Sequence, residues 1–492
     1  MVLTLATAAV QLLATETNQS HNLILLDPLG KAVIVSTNDM PASLLPPPKM
    51  GLHSQLPSPT RGESLPDPMV LRQELSQGQY RPFRFFPSYE PRLMPYLAGQ
   101  DIAGNTALKP GPLFPSSPLD VAAQQAKYRL SEIGFTYSLQ QTLTWVSMTD
   151  VMQGNNTIGY YTLSWKMQWL VLDAPAAGSA GWLTAKINAQ TGLGAAGDTQ
   201  SAARNLGTVA DPTGIWSSVD GFRIPQLAWQ QSLADGRFVA IAGMVDQSHY
   251  LDANSYANSG RGQFLNSALI NSMVVPLKAY NFGINLQWQP LEEWYGMIGA
   301  SAGNAHAGVA PWTDFNWQNW STTVELGYAP RNFLSLGPGV YRVQPFVGQP
   351  DSGSTARGLG LNFQQQLGPN APFAWFGRYG HGGTARFQTE ASQDDTGDQL
   401  GTGFVMRGPL EYAGLFPSRA HDALGLAFIW SHPSSKEQPL YHRDEYGVEL
   451  GYALQLTPTT KLQPDLQVVW NRAHNPDSSP AAVFQLQLDF AW

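Results

Sequence analysis

From Phe135 to Trp492 the sequence returns repeatedly to a two-residue alternation of apolar and polar side chains. Strand side chains point alternately to opposite faces, so each such run is a strand with one oily and one wet face. The last stretch shows it plainly. Phe484, Leu486, Leu488, Phe490 and Trp492 fall on one face, and Gln485, Gln487 and Asp489 on the other. Upstream, Tyr161, Leu163, Trp165, Met167, Trp169 and Val171 alternate with Thr162, Ser164, Lys166 and Gln168. The runs lie at about 135–145, 161–171, 181–192, 225–233, 237–245, 280–289, 294–303, 320–329, 338–347, 357–367, 371–379, 401–411, 421–431, 442–456, 461–471 and 483–492. That makes sixteen, an even number, as a single-chain outer-membrane barrel requires when both ends sit on one side.

The joins between runs supply a second test. Ala234-Asp235-Gly236, Pro290-Leu291-Glu292-Glu293, Gly368-Pro369-Asn370 and Thr457-Pro458-Thr459 are tight turns. Gly, Pro, Asn and Asp suit turns through backbone freedom, fixed φ and local hydrogen bonds. Each of these turns follows an even-numbered strand. The long joins 193–224, 246–279, 304–319 and 380–400 follow odd-numbered ones. Short turns on one rim and long loops on the other are the pattern of a membrane barrel. A soluble sandwich has no reason to sort its loops this way. The expected fold is all-β: a transmembrane antiparallel up-and-down β-barrel of about 16 strands, preceded by an extended proline-rich N-terminal arm.

Composition agrees. Only 13% of the residues are charged, against about 25% in globular domains. A mean hydropathy of -0.20 and the lack of a long apolar run argue against a bundle of membrane helices. The chain has no cysteine, which excludes disulfides and thiolate metal sites. A net charge of -8 speaks against a nucleic-acid partner, which would want a basic surface. Residues 1–20 read as the remnant of an export signal: Val2–Ala14 is apolar, but no Lys or Arg precedes it. Residues 21–119 read as a proline-rich extended arm, with Pro46, Pro47, Pro48, Pro57, Pro59, Pro66 and Pro68, and 120–492 as the barrel.

Charges should avoid the lipid face, where a Lys or Arg at mid-depth costs about 2–4 kcal/mol. Glu449, Glu325, Lys166, Arg342 and Arg378 are therefore expected to point into the lumen. In the run 442–456, Tyr446, Val448, Leu450, Tyr452, Leu454 and Leu456 oppose Glu445, Gly447, Glu449, Gly451 and Gln455.

Several stretches resemble a known family. Leu462-Gln463-Pro464-Asp465-Leu466-Gln467-Val468-Val469 is similar to the penultimate-strand signature of the carbohydrate-selective porin B family. Glu445-Tyr446-Gly447-Val448-Glu449-Leu450-Gly451-Tyr452 fits the preceding strand. Arg129-Leu130-Ser131-Glu132-Ile133-Gly134-Phe135-Thr136-Tyr137-Ser138 resembles the lead-in to the first strand. Asp235-Gly236-Arg237, Ala242-Gly243 and Phe264-Leu265-Asn266-Ser267-Ala268 resemble its middle section. The resemblance covers roughly 120–492; the proline-rich arm and the final Trp492 depart from it. It implies a sixteen-stranded porin of the bacterial outer membrane that passes sugars, including mono- and disaccharides, by diffusion.

A barrel of this size leaves an aqueous channel, which something must narrow to give selectivity. The segment 246–279 is the expected constriction, since a long loop without structure of its own is usually functional or disordered. It carries Asp246, Tyr256, Arg261 and Lys278 among many polar groups. Sugars offer hydroxyls to charged and polar groups and C–H faces to aromatics. The expected substrate-contacting set is therefore Arg261, Arg342, Arg378, Lys166, Glu325, Glu449, Asp246 and Tyr256.

No enzyme is expected. Glu390 with Asp394-Asp395 sits on a loop that it solvates or where it weakly holds a cation, and His381-Gly382-Gly383 has no Gly-x-Ser-x-Gly elbow to serve. No His-Glu-x-x-His spacing occurs, and no metal, nucleotide or redox cofactor is expected. Expected partners are carbohydrates and small solutes, outer-membrane lipid, a homo-oligomer such as a trimer, and a periplasmic partner for the arm. The alternative reading is a non-conducting or general outer-membrane barrel with a structural or partner-binding role through that arm.

Overall fold

The computed structural model describes residues 23–26, 32–35, 113–114, 123, 126, 130 and 133–492, apart from 175–177, 194–200, 215–220, 235, 278–279, 292, 303–319, 331, 350–354, 369–371, 383–395, 417–418, 420–421, 434–443 and 476–477. The export-signal stretch 1–20 and nearly all of the arm 21–119 lie outside the described residues. Within the arm, β1 (Leu23–Leu26) and β2 (Ala32–Val35) form an antiparallel hairpin that the sequence reading did not anticipate.

Sixteen further strands close into one barrel. They are β3 (Phe135–Met148), β4 (Thr157–Ala174), β5 (Ser179–Leu193), β6 (Gly221–Leu233), β7 (Phe238–Met244), β8 (Phe282–Trp288), β9 (Trp294–Ala302) and β10 (Trp320–Tyr328). They continue as β11 (Gly339–Gln349), β12 (Ala356–Gln366), β13 (Phe373–Gly382), β14 (Thr396–Arg407), β15 (Ala423–Pro433), β16 (Glu445–Gln455), β17 (Thr460–Trp470) and β18 (Ala481–Ala491). Each strand pairs antiparallel with its sequence neighbour, and β18 pairs with β3 to complete the circle. Trp492 extends that seam by exchanging main-chain hydrogen bonds with Leu139 at 2.7 and 2.8 Å. A closed sheet leaves no unpaired edge, which is the condition for a strand-built structure in lipid.

The two faces sort as the alternation predicts. On β18, Phe484 and Leu486 are exposed on the outside while Gln485, Gln487 and Asp489 are buried inside. Aromatic pairs bridge neighbouring strands on the outer surface: Trp145 with Phe484 at 5.8 Å, Trp375 with Phe404 at 6.2 Å, and Tyr446 with Trp470 at 5.9 Å. No helix among the described residues is long and apolar enough to cross a membrane.

Loop lengths also sort. Short joins follow the even-numbered strands, and long ones, such as 245–281 and 303–319, follow the odd-numbered. The short rim has two longer joins, 329–338 and 408–422. Gly408 there takes a left-handed φ of 57°, and Pro409, which has no N–H for the ladder, opens a one-turn helix at Pro409–Tyr412. The strand therefore stops at Arg407 rather than running to 411. β6 starts earlier than expected, at Gly221, and its register against β5 shifts between Lys186 and Asn188. Pro225 lies in that irregularity, where a residue without a main-chain donor is tolerated. On the long rim, fully buried Arg472 ties three loops by donating to Asp150, to Leu206 O at 2.9 Å and to Ser478 Oγ at 2.8 Å.

Leu486 sits midway along β18 on the outer face. Leu486→Arg is expected to destabilise the barrel in lipid vesicles by about 2–4 kcal/mol, with Leu486→Phe near neutral. Urea unfolding in vesicles measures both.

Candidate functional site

The connection between β7 and β8, residues 245–281, meets inward-facing side chains on every side of the lumen. Gln247 Nε2 donates to Ile284 O and Ala300 O, each at 3.2 Å, beside β8 and β9. Ser255 N donates to Gln364 Oε1 of β12 at 2.8 Å. Arg261 reaches the far wall, donating to Thr142 Oγ1 of β3 at 3.0 Å and Thr162 Oγ1 of β4 at 3.2 Å. On the way back, Asn266 Nδ2 donates to Gln467 Oε1 of β17 at 3.0 Å, and Met273 N to Gln399 Oε1 of β14 at 2.6 Å.

Apolar contact and wall carboxylates seat this loop together. Phe264, Leu269 and Met273 join a buried cluster with Phe376, Val405 and Ile429 of the inner wall. Leu251, Val274, Val275 and Leu277 join another with Tyr295, Met297, Val340 and Phe346. Glycines make the wall thin where the loop lies closest. A Cβ on Gly425 would stand 2.7 Å from the Phe264 ring, and one on Gly380 2.7 Å from Val274 Cβ. A side chain at either position would lift the loop.

The main-chain donors of the buried loops are met by carboxylates. Glu449 accepts from Leu265 N at 2.5 Å and Asn266 N at 3.0 Å. Glu325 accepts from Asp252 N at 2.9 Å, Tyr295 Oη at 2.7 Å and Gln344 Nε2 at 2.6 Å. Glu445 accepts from Val209 N, Ala210 N and Ala473 N at 2.9–3.2 Å, holding the β5–β6 and β17–β18 loops. The β5–β6 loop in turn meets 245–281 through paired bonds between Asp211 and Ser267, both at 2.8 Å. Burial pushes the Asp211 carboxyl up, against hydrogen bonds from Thr213 N–H, Thr213 Oγ1 and Ser201 Oγ that work the other way.

Arg378 is the loop's cationic anchor. Its Nε donates to Asp252 Oδ2 at 2.9 Å, and its other nitrogens reach Asp252 O at 2.8 Å and the carbonyls of Ala257 and Leu269. Asn362 Nδ2 adds a 2.6 Å bond to Asp252 Oδ1. Arg342 Nε lies 3.5 Å from Glu325 Oε1, so Arg378, Asp252, Glu325 and Arg342 form one chain of groups.

Glu325, Glu449, Arg342 and Arg378 point inward as the sequence implied, but at 0%, 0%, 3% and 2% exposure they lie beneath the loop. The sequence reading set all four in the substrate-contacting group. Glu325, Glu449 and Arg378 bond to main-chain groups of the loop, and Arg342 faces Glu325 and Asn362. Lys166, Asp246, Tyr256 and Arg261 lie elsewhere. Lys166 is half-buried on the inner face of β4 with Lys186 as its direct cross-strand neighbour. Arg261 is half-buried at the loop's far end. Tyr256 carries the Arg407 guanidinium 5.3 Å from its ring centre. Lys278 lies outside the described residues.

Asp246 opens the loop and accepts from Lys186 Nζ at 3.0 Å and Ser248 Oγ at 2.6 Å. Its burial works against the charge, but Lys186, His249 and the Ser248 hydrogen bond outweigh it and hold the carboxyl below the usual range. With a depressed pKa, its contribution is present above the ordinary carboxylate range and is lost only at lower pH. Lys186 Nζ also lies 3.1 Å from His249 Nε2, and His249 Nδ1 lies 3.4 Å from Gln226 Oε1. Burial, with the Asp246 charge adding to it, raises the neighbouring Tyr250 phenol. No group of His, Cys, Asp and Glu among the described residues could hold a metal ion.

Sequence reasoning did not name Lys186, and it gave no role to Glu445 or Asp252. Lys186 was legible, since it falls on the inward positions of the 181–192 run. Asp252 carried no signal, because an irregular loop has no period to place it.

Closure, strand number, rim asymmetry and an inward-seated loop define a porin-type barrel. Residues 346–492, from within β11 to the end of the chain, match the family described as carbohydrate-selective porin, OprB family. The resemblance read from the penultimate strands is thus borne out there, while the similar stretches at 129–138 and 235–268 fall outside the matched residues. The high-pH structure of Pseudomonas putida OprB is similar over 75% of this chain and 96% of its own, at 14% identity and a TM-score of 0.58. That likeness shows a shared fold. The low-pH structure of the same protein has a TM-score of 0.47, with 14% identity over 75% and 95% of the two chains. A variant of Rh. blastica porin has a TM-score of 0.46, with 9% identity over 73% and 100%. No curated protein matches the chain.

Two substitutions test the seat of the loop. Gly425→Leu is expected to cost about 1–3 kcal/mol by overpacking against Phe264. Arg378→Met leaves the Asp252 carboxylate buried without its cation, at about 3–5 kcal/mol. Both should speed tryptic cleavage after Arg261 in the folded barrel, Arg378→Met more than Gly425→Leu. Mass spectrometry of the fragments reads the difference.

Proposed function

We propose that this chain is an outer-membrane porin through which carbohydrates and small solutes diffuse passively, with the loop at 246–279 narrowing the lumen. The observation that carries the reading is the course of that loop across the barrel, from Gln364 of β12 to Thr142 and Thr162 of β3 and β4 on the opposite wall. The groups assigned to the waist are Lys166, Lys186, His249 and Arg261, with Tyr256 nearer the short rim beside Arg407, each only partly buried. These are hydrogen-bond donors and an aromatic face, the chemistry that sugar hydroxyls and C–H surfaces call for. Their contact with sugar is part of the proposal, as is that of Asp246.

Passage would be a matter of pore diameter and lining groups, with no covalent step. The short rim would face the periplasm. Phe114 N donates to Leu456 O at the short rim at 2.7 Å, which supports an N-terminal arm that leaves on the periplasmic side.

A second reading has its own support. Most inward side chains are buried, so the lumen is well filled, and a barrel that does not conduct would look similar. Single-channel recording of the purified protein in a planar bilayer, titrated with glucose, maltose and sucrose, separates the two. Steady channels blocked by sugar are expected for the porin. A folded, heat-modifiable barrel that never opens would favour the structural role.

A further inference from the structure

On the outer face of β3, aromatic residues mark the two ends of the span. Tyr137 packs edge-on against Trp165 at 6.5 Å toward the short rim, and Trp145 against Phe484 at 5.8 Å toward the long rim. Aromatic girdles of this kind sit at the two membrane interfaces. Gln141 faces outward midway between Tyr137 and Trp145. Four residues of strand span about 13 Å, so its amide lies near mid-depth, beyond reach of either headgroup layer. Its outward neighbours are Leu139, Leu143, Leu163, Leu488 and Phe490.

A carboxamide in that setting needs partners, because hydrocarbon offers none. Tyr161 Oη of β4 donates to Gln141 Oε1 at 2.8 Å. The N–H groups of Gln141 Nε2 have no partner among the described residues. Thr402, outward on β14, shows the contrast. It donates to Phe376 O at 2.8 Å and accepts from Trp375 Nε1 at 3.0 Å, so its own barrel satisfies it.

The depth of the Gln141 amide narrows what can meet it. A soluble protein does not enter hydrocarbon, and lipid headgroups stand at the rims. The partner must be another membrane-embedded chain with a polar group at the same height, and a second copy of this chain has one by construction. Two-fold symmetry sets a residue near the axis against its own copy. A carboxamide both donates and accepts, so it can pair with itself.

We propose that the outer face of β3 and β4 is an interface at which two copies of this chain pair about a two-fold axis along the membrane normal. Gln141 Nε2 donates to Oε1 of the partner's Gln141, and the reverse bond completes the pair. Tyr161 holds Oε1 from its own side and leaves Nε2 for the partner. The inference rests on the membrane reading of the barrel and not on conduction. It gives the homo-oligomer expected from sequence a location, and makes it a pair.

Sedimentation equilibrium of the detergent-solubilised full chain measures the pairing, with heat-modifiable migration to check that each barrel is folded. The wild type is expected to be a dimer. Gln141→Leu introduces the residue type that the neighbouring outward positions already carry, so the barrel should keep its fold. The dimer dissociation constant should rise by about 2- to 12-fold for each of the two hydrogen bonds lost. Because the chain has no cysteine, Gln141→Cys in lipid vesicles should give dimers with a short bis-maleimide. Leu326→Cys, at a position 57% exposed on β10 across the barrel, should not. A wild type that stays monomeric or forms a trimer, a dimer unweakened by Gln141→Leu, or cross-linking no greater at 141 than at 326 would overturn the interface. A chain that stays in solution without detergent would count against the membrane reading itself and take the interface with it.

Discussion

A peptide drawn into a barrel lumen must find partners for its main-chain N–H groups, since an orphaned donor costs as much as a lost hydrogen bond. The inner wall meets that requirement with carboxylates. Glu449 takes two successive amides of one loop, and Glu445 takes three amides from two others. A carboxylate offers several lone pairs in a small space, so one side chain can do the work of a strand edge. Arg378 does the converse, supplying donors to loop carbonyls and to Asp252. The charged residues of the wall are therefore largely committed to protein, and in the proposed porin the solute meets what remains.

What remains differs along the lumen. The waist keeps Lys166, Lys186 and Arg261 on the β3–β5 side, with Asp246 against Lys186. Toward the short rim the same wall turns mostly to hydroxyls, amides and an indole, with the Asp173 carboxylate opposite Ala180. Glycines at Gly380 and Gly425 let the loop lie close to the β13 and β15 side. The passage is thereby pushed toward the opposite wall, where the neutral and basic groups stand. Position of the loop and chemistry of the wall thus act together in the proposed selectivity.

The barrel was readable because strand alternation repeats and each repeat checks the others. One amphipathic run such as 483–492 could belong to many folds, but sixteen in succession with sorted loop lengths could not. The inward direction of Glu325, Glu449, Arg342 and Arg378 followed from the cost of charge in lipid, and the structure agrees. Their engagement was not readable, because it depends on where Asp252, Leu265 and Asn266 fall in an irregular loop. The inward apolar residues Phe376, Val405 and Ile429 also broke the expected wet face, and they mark where Phe264 and Leu269 sit. Local exceptions of this kind reveal a tertiary partner only once that partner is in view. Proline gave two further departures, at Pro225 and Pro409, each through its missing main-chain donor.

The central claim is that residues 245–281 sit inside the barrel against its wall. Because the chain has no cysteine, paired thiols can be introduced without background. Ser255 and Gln364 are suitable, with Gln364 Nε2 donating to Ser255 Oγ at 2.9 Å. Cysteines at these two positions, treated in the folded barrel with a short bis-maleimide, should join and alter the mobility of the denatured chain. Failure to join, with both thiols alkylating freely in the folded protein, would place the loop outside the lumen and contradict the account.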